Sequence, residues 1–118
     1  MTASEAMARA DALLPNPIGE TEKLRWLEDL DGQLLTELAR LRGREAAQPA
    51  VYTEASELAV EEPWEELYLH WLQAKTLYFL GEYGRYQNAM SQFNSLYLSY
   101  LAAEIHGTRP RQSARLKY

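Results

Sequence analysis

Residues 62–107 read EPWEELYLHWLQAKTLYFLGEYGRYQNAMSQFNSLYLSYLAAEIHG and hold two of the three tryptophans, both phenylalanines and six of the eight tyrosines of a 118-residue chain. In the first half, Trp64, Leu67, Tyr68, Leu69, Trp71, Leu72, Ala74, Leu77, Tyr78, Phe79 and Leu80 spread nearly all round a helical wheel, the pattern of a helix enclosed by others. Pro63 fits the first position of such a helix, where its missing N–H is no loss, and Glu65 and Glu66 suit the positive end of the dipole. The pattern therefore predicts a central apolar helix over 63–80. Two glycines in Gly81-Glu82-Tyr83-Gly84 would cost an unbroken helix about 2 kcal/mol, so Gly81 is read as a helix-ending residue. A further helix follows over 84–105, with Tyr83 or Tyr86, Met90, Phe93, Tyr97 and Tyr100 at alternating spacings of three and four. Gly107 and Pro110 stop it. The spacing fits two separate helices or one kinked helix.

Working outward, residues 43–62 break the helical period with Gly43, Pro49 and a run of small and acidic side chains. The stretch reads as a long irregular loop, pinned to the body by Val51, Tyr52, Leu58 and Val60, with a short strand as the alternative. Before it, Leu24, Leu27, Leu30, Leu34, Leu38 and Leu41 form one stripe of a helix over 20–42, while Glu28, Asp29, Glu37, Arg40 and Arg42 point away. Gly32 interrupts that helix at a cost of about 1 kcal/mol relative to Ala, which reads as close helix packing or a bend. The leucine run covers under three heptads and lacks ordered flanking charges, so it fits an intramolecular core better than a coiled coil. At the amino end Thr2 and Glu5 match a capping box for a short helix over 2–14, with Ala6, Ala10, Leu13 and Leu14 as its thin apolar face. Pro15-Asn16-Pro17 ends it. The expected fold is all-α: a small bundle of about four helices forming a single domain over 1–107.

Length and composition bound what such a domain does. At 118 residues there is room for one core, and the net charge of -5 argues against a wholly basic nucleic-acid binder. The absence of cysteine excludes a disulfide framework, thiol catalysis and cysteine-based zinc sites. No signal peptide is evident and no uncharged apolar run is long enough for a membrane span, so the chain reads as cytoplasmic when made, with no membrane partner.

Candidate chemistry is sparse. Glu66 and His70 stand one helical turn apart, but a metal site needs three or four ligands and His106 is the only other imidazole. Glu61-Glu62 and Glu65-Glu66 are sequential neighbours on different helix faces, a solvated helix start rather than a catalytic pair. With neither a phosphate-binding loop nor a nucleophile elbow, no catalytic residue, metal ligand or cofactor is assigned, and the chain is read as a non-enzyme. Tyr68, Tyr78, Tyr83, Tyr86, Tyr97 and Tyr100 lie at helical spacing among Leu and Met, which assigns them to the core and its rim, although tyrosines also stack nucleobases. Their number exceeds what a core of this size needs, and tyrosine is enriched where protein surfaces meet.

The exception to the acidic body is residues 108–118. Arg109, Arg111, Arg115 and Lys117 give +4 with no acid, leaving eight bases against seventeen acids, or -9, in residues 1–107. The segment reads as an extended, flexible basic tail. Leu116 and Tyr118 add apolar side chains that a purely solubilising end would not need. Arg109, Arg111, Arg115, Leu116, Lys117 and Tyr118 are therefore the candidate partner-binding residues.

Five stretches carry a family resemblance: Leu24-Arg25-Trp26-Leu27-Glu28-Asp29-Leu30-Asp31-Gly32; Tyr52-Thr53-Glu54; Glu62-Pro63-Trp64-Glu65-Glu66-Leu67-Tyr68; Gly81-Glu82-Tyr83-Gly84-Arg85-Tyr86-Gln87-Asn88; and Phe93-Asn94-Ser95-Leu96-Tyr97. Together with Pro15-Asn16 they resemble small helical proteins of tailed phages and prophages that are similar to head–tail connector, or adaptor, proteins. Gln87 departs from that pattern, which has a second Asn beside Asn88, and the basic tail lies outside it. The resemblance implies a virion structural protein that docks on the portal as an oligomeric ring and links the DNA-filled head to the tail. Its implied partners are the portal protein, a tail-side or stopper protein and neighbouring copies, with DNA only as passing channel content. Its implied location is the head–tail interface of the virion, and the host cytoplasm during assembly. The competing readings are a non-viral helical protein–protein interaction module and a nucleic-acid-associated helical protein that uses its basic tail.

Overall fold

The computed structural model describes residues 1–45 and 51–107, which form four helices: α1 (Ala3–Leu13), α2 (Glu20–Leu41), α3 (Glu66–Phe79) and α4 (Tyr83–Gly107). Among the described residues the only β pairing is an isolated antiparallel bridge between Thr2 and Glu57. The chain is thus a small all-α domain, and its middle segment is irregular where described. Both α2 and α3 pack against all three other helices, whereas α1 and α4 do not pack against each other.

The capping box of α1 is present: Glu5 N donates to Thr2 Oγ1 at 3.2 Å and Thr2 N donates to Glu5 Oε1 at 2.8 Å. Ala3, Ala6, Met7 and Ala10 are the buried face, and Leu13, expected on it, is exposed. Asn16 organises the turn into α2, its amide donating to the Leu14 carbonyl at 2.8 Å while its Oδ1 accepts from Ile18 N at 3.0 Å. The buried Lys23 closes the corner with its ammonium 2.7 Å from Asp11 Oδ1.

In α2 the stripe Leu27, Leu30, Leu34 and Leu38 is buried with Trp26, while Leu24 is half-buried and Leu41 exposed. Of the side chains expected to point away, Asp29 and Arg40 do. Glu28 and Arg42 are half-buried and bonded to other segments. A Cβ added at Gly32 would meet nothing within 4 Å, so close packing is not what keeps glycine there. Gly32→Ala is therefore expected to raise the unfolding free energy by about 1 kcal/mol, read as a higher urea midpoint at unchanged slope. A lower midpoint would contradict the open space around this position.

Helices α2 and α3 end in the same way. Gly43 (φ 70) donates to the Arg40 carbonyl and Arg44 N to Ala39; Gly81 (φ 80) donates to Tyr78 and Glu82 N to Leu77. These are Schellman closures, which place the left-handed residue where only glycine is unstrained. The second makes α3 and α4 separate helices.

The start of α3 differs from the sequence expectation. Glu62–Pro63 is a cis peptide bond, and Trp64, Leu67 and Tyr68 donate to the carbonyls of Glu61, Trp64 and Glu65. These short-range bonds satisfy the orphan donors of the first turn, so the helix begins at Glu66 rather than at Pro63. At the other end Tyr78, Phe79 and Leu80, read from the sequence as enclosed, are exposed. In α4, Phe93, Tyr100 and Leu101 are buried, and Phe93 packs between Trp71 and Tyr97 with ring centroids 5.0 and 5.4 Å away. Arg42 donates to the Glu104 carboxylate at 3.1 Å and to its carbonyl at 3.2 Å, joining the end of α2 to α4.

Candidate interaction surface

One buried carboxylate fixes the irregular segment. Asp31 is 2% exposed. Its Oδ1 accepts from Tyr68 Oη at 2.6 Å, and its Oδ2 accepts from Tyr52 Oη and, at 3.0 Å, from Ala59 N. Tyr68 Oη in turn accepts from Val60 N at 2.7 Å, and Glu28 Oε2 accepts from Tyr52 N at 2.8 Å. A charge buried this deeply is tolerable only because three donors converge on it. Leu58 and Val60 are buried in the core cluster, so two of the four apolar pins expected in this segment are in the core. Tyr52 is half-buried and Val51 exposed. The arrangement is a structural junction in which Tyr52, Ala59 and Tyr68 all donate to one carboxylate.

Those phenols give the domain an alkaline limit. Burial pushes Tyr68 and Tyr52 well above the ordinary tyrosine value, reinforced by the adjacent Asp31 charge. Burial also pushes Tyr100 up to about 12 and raises Tyr97. The folded state favours the neutral phenol, so this stabilisation is complete below the unfolded value of about 10 and is lost as pH rises through the folded values. Denaturant melts should be insensitive to these groups up to about pH 9 and lose stability steeply above about pH 10. A midpoint unchanged at pH 11 would contradict the buried positions of these hydroxyls.

The surface feature that stands out is the end of the α3–α4 hairpin. Tyr78, Phe79, Leu80 and Tyr83 are 55%, 61%, 44% and 58% exposed and adjoin one another in sequence around Gly81. They are not loose side chains. Tyr78 packs between Tyr83 and Tyr86 with centroids 5.4 and 5.1 Å away, and Phe79 meets the edge of the buried Trp26 at 6.2 Å. A pre-packed aromatic knuckle that keeps about half its surface in water has the composition of a protein-contact anchor. Sequence reasoning enclosed Tyr78, Phe79 and Leu80 within the bundle and put Tyr83 in the core or its rim, so it placed no exposed cluster here, although it noted more tyrosines than the core needs. The available signal was the helix stop itself, because apolar residues flanking a turn at a hairpin tip have no neighbouring element to cover all of them.

Elsewhere, Glu66 and His70 line a shallow groove of about 470 Å³ between α3 and α4 with Ser91, Gln92, Ser95, Leu96 and Ser99. Among the described residues no cluster of three metal-binding side chains occurs, and no helix is long and apolar enough to cross a membrane. Of the tyrosines weighed between core and stacking roles, Tyr68 and Tyr100 are core, Tyr86 and Tyr97 half-buried, and Tyr78 and Tyr83 exposed. Arg109, Arg111, Arg115, Leu116, Lys117 and Tyr118 lie outside the described residues. Comparison of the chain with protein-family models, curated proteins and solved structures gives no match.

Proposed function

We propose that the chain is a structural virion-assembly protein, a head–tail connector that docks as a ring of copies on the portal and carries the tail or a stopper. The observation that carries this reading is the aromatic knuckle at the α3–α4 tip, a preformed anchor on an otherwise acidic helical body. Three of the stretches that resemble the connector family also converge on one junction, through Asp31, Tyr52 and Tyr68. In this reading those residues set the shape of the subunit, the knuckle is pressed against the portal, and the cations of residues 108–118 engage an acidic surface of the portal or of the next copy. The activity is mechanical: no catalytic group or cofactor takes part. The sites of action are the assembling particle in the host cytoplasm and the finished head–tail junction.

The test is to mix purified protein with the portal encoded in the same genome and follow assembly by light scattering and co-elution. A ring-sized complex is expected at micromolar protein, weakened at least about tenfold by Tyr78→Ala with Phe79→Ala. Deleting 108–118 should weaken it in a salt-sensitive manner. No co-elution would transfer the reading to a helical interaction module with another protein partner.

A further inference from the structure

The longest helix, α4, has an outer face of unusual composition for this chain. Among the helices it packs against α3 and α2 but not α1. From Tyr86 to Ala103 no residue is charged, although 25% of the chain is. At 3.6 residues per turn, Gln87, Ser91, Asn94, Leu98 and Ala102 fall within about 80° of one another, and all five are exposed. Leu98, at 65%, is the one large apolar side chain among them. A helix face destined for water usually carries charges at spacings of three and four. Small and amide side chains around a single leucine, depleted of charge, are instead the composition of a helix–helix contact that lets backbones approach.

We infer that this face is where two copies of the free protein meet, α4 against α4, antiparallel about a two-fold axis near Asn94 and Ser95. Reversing the stripe about that midpoint sets Leu98 of each copy opposite Ser91 of the other, and Gln87 opposite Ala102, so large faces small in these pairs, with the two Asn94 amides meeting near the axis. A parallel pairing would set leucine on leucine and serine on serine, leaving a clash and a gap, and would align the helix dipoles unfavourably. The occupant is a second copy because the patch is complementary to itself, as an isologous contact requires. Residues 1–107 carry eight bases against seventeen acids, so acidic bodies repel at long range and approach best where the facing surfaces hold no charge. The stripe is about 23 Å long and one helix wide, offering on the order of 400 Å² per copy, roughly half of a standard interface. The dimer is therefore weak and concentration-dependent. Since a two-fold contact closes on itself, it is separate from any ring contact and does not rest on the connector reading.

The chain has no cysteine, so Asn94→Cys places a single thiol beside the axis. Treated with a short bifunctional maleimide at high protein concentration, it should cross-link at least about tenfold faster than Gln33→Cys, an exposed site on α2. Adding Leu98→Glu, which sets two carboxylates into the symmetric contact, should reduce cross-linking to the Gln33→Cys rate. In wild-type sequence the same change should raise the dimer dissociation constant in sedimentation at least about tenfold. Circular dichroism of each variant should retain the helical signal, since Gln33, Asn94 and Leu98 are all exposed. Equal cross-linking of the two cysteine variants, an indifferent Leu98→Glu, or a monomer at every concentration would overturn the inference.

Discussion

Replacing Asp31 with alanine is expected to lower the unfolding free energy by about 3 to 5 kcal/mol, out of a total of about 5 to 15 kcal/mol for a domain of this size. The loss is large because the carboxylate leaves but its donors stay. Tyr52 Oη, Tyr68 Oη and Ala59 N all give their hydrogen bonds to it, and each uncompensated buried donor costs about 1 to 3 kcal/mol, reduced where water can enter. Tyr68→Phe should cost less, because it strands only Val60 N and one carboxylate lone pair. Urea melts of the two variants check the order, and an Asp31→Ala loss below about 1 kcal/mol would show that water already satisfies the junction.

The second large effect is expected at Trp71, whose truncation to alanine should cost about 3 to 5 kcal/mol. Trp71 is 8% exposed; its ring packs on Phe93 at 5.0 Å, and the Lys75 ammonium lies over it, 5.1 Å from the ring centroid. Its Nε1 donates to the Trp26 carbonyl at 2.8 Å, tying α3 to α2. Trp71→Phe separates the contributions: most of the apolar contact with Phe93 survives while the hydrogen bond is lost, so about 1 to 2 kcal/mol should go. If both substitutions cost the same, the bond rather than the packing is what Trp71 contributes.

Features that depend on neighbours in sequence were legible, and those that depend on distant partners were not. The Thr2–Glu5 box, the Leu27–Leu38 stripe and the Gly43 and Gly81 stops each involve residues within a turn or two of one another, and each is present. Asp31 sits among Leu30 and Gly32 like any surface carboxylate, and its burial is decided by tyrosines 21 and 37 residues away. Lys23 is buried for a similar reason, through Asp11 on the preceding helix. Pro63 fitted a helix start by composition, but the turn before α3 supplies the same caps. The knuckle is not visible in the helical periodicity, because an apolar helix need not be covered along its whole length. A wheel shows how side chains are distributed around an axis and says nothing about where the neighbouring helix stops.

The pinned segment has a consequence for how quickly this protein folds. Helical domains usually fold fast because most of their contacts are local. Here the stretch from Tyr52 to Val60 is bonded to Glu28 and Asp31 behind it and Tyr68 ahead, and Ala3 N and Ser4 N donate to the carbonyls of Ser56 and Glu54. Each of the bonds to α1 and α2 closes a loop whose entropy is lost before the bond repays it. The domain is therefore expected to refold more slowly than a helical bundle of its length joined only by short loops, and refolding kinetics on the microsecond scale would contradict this.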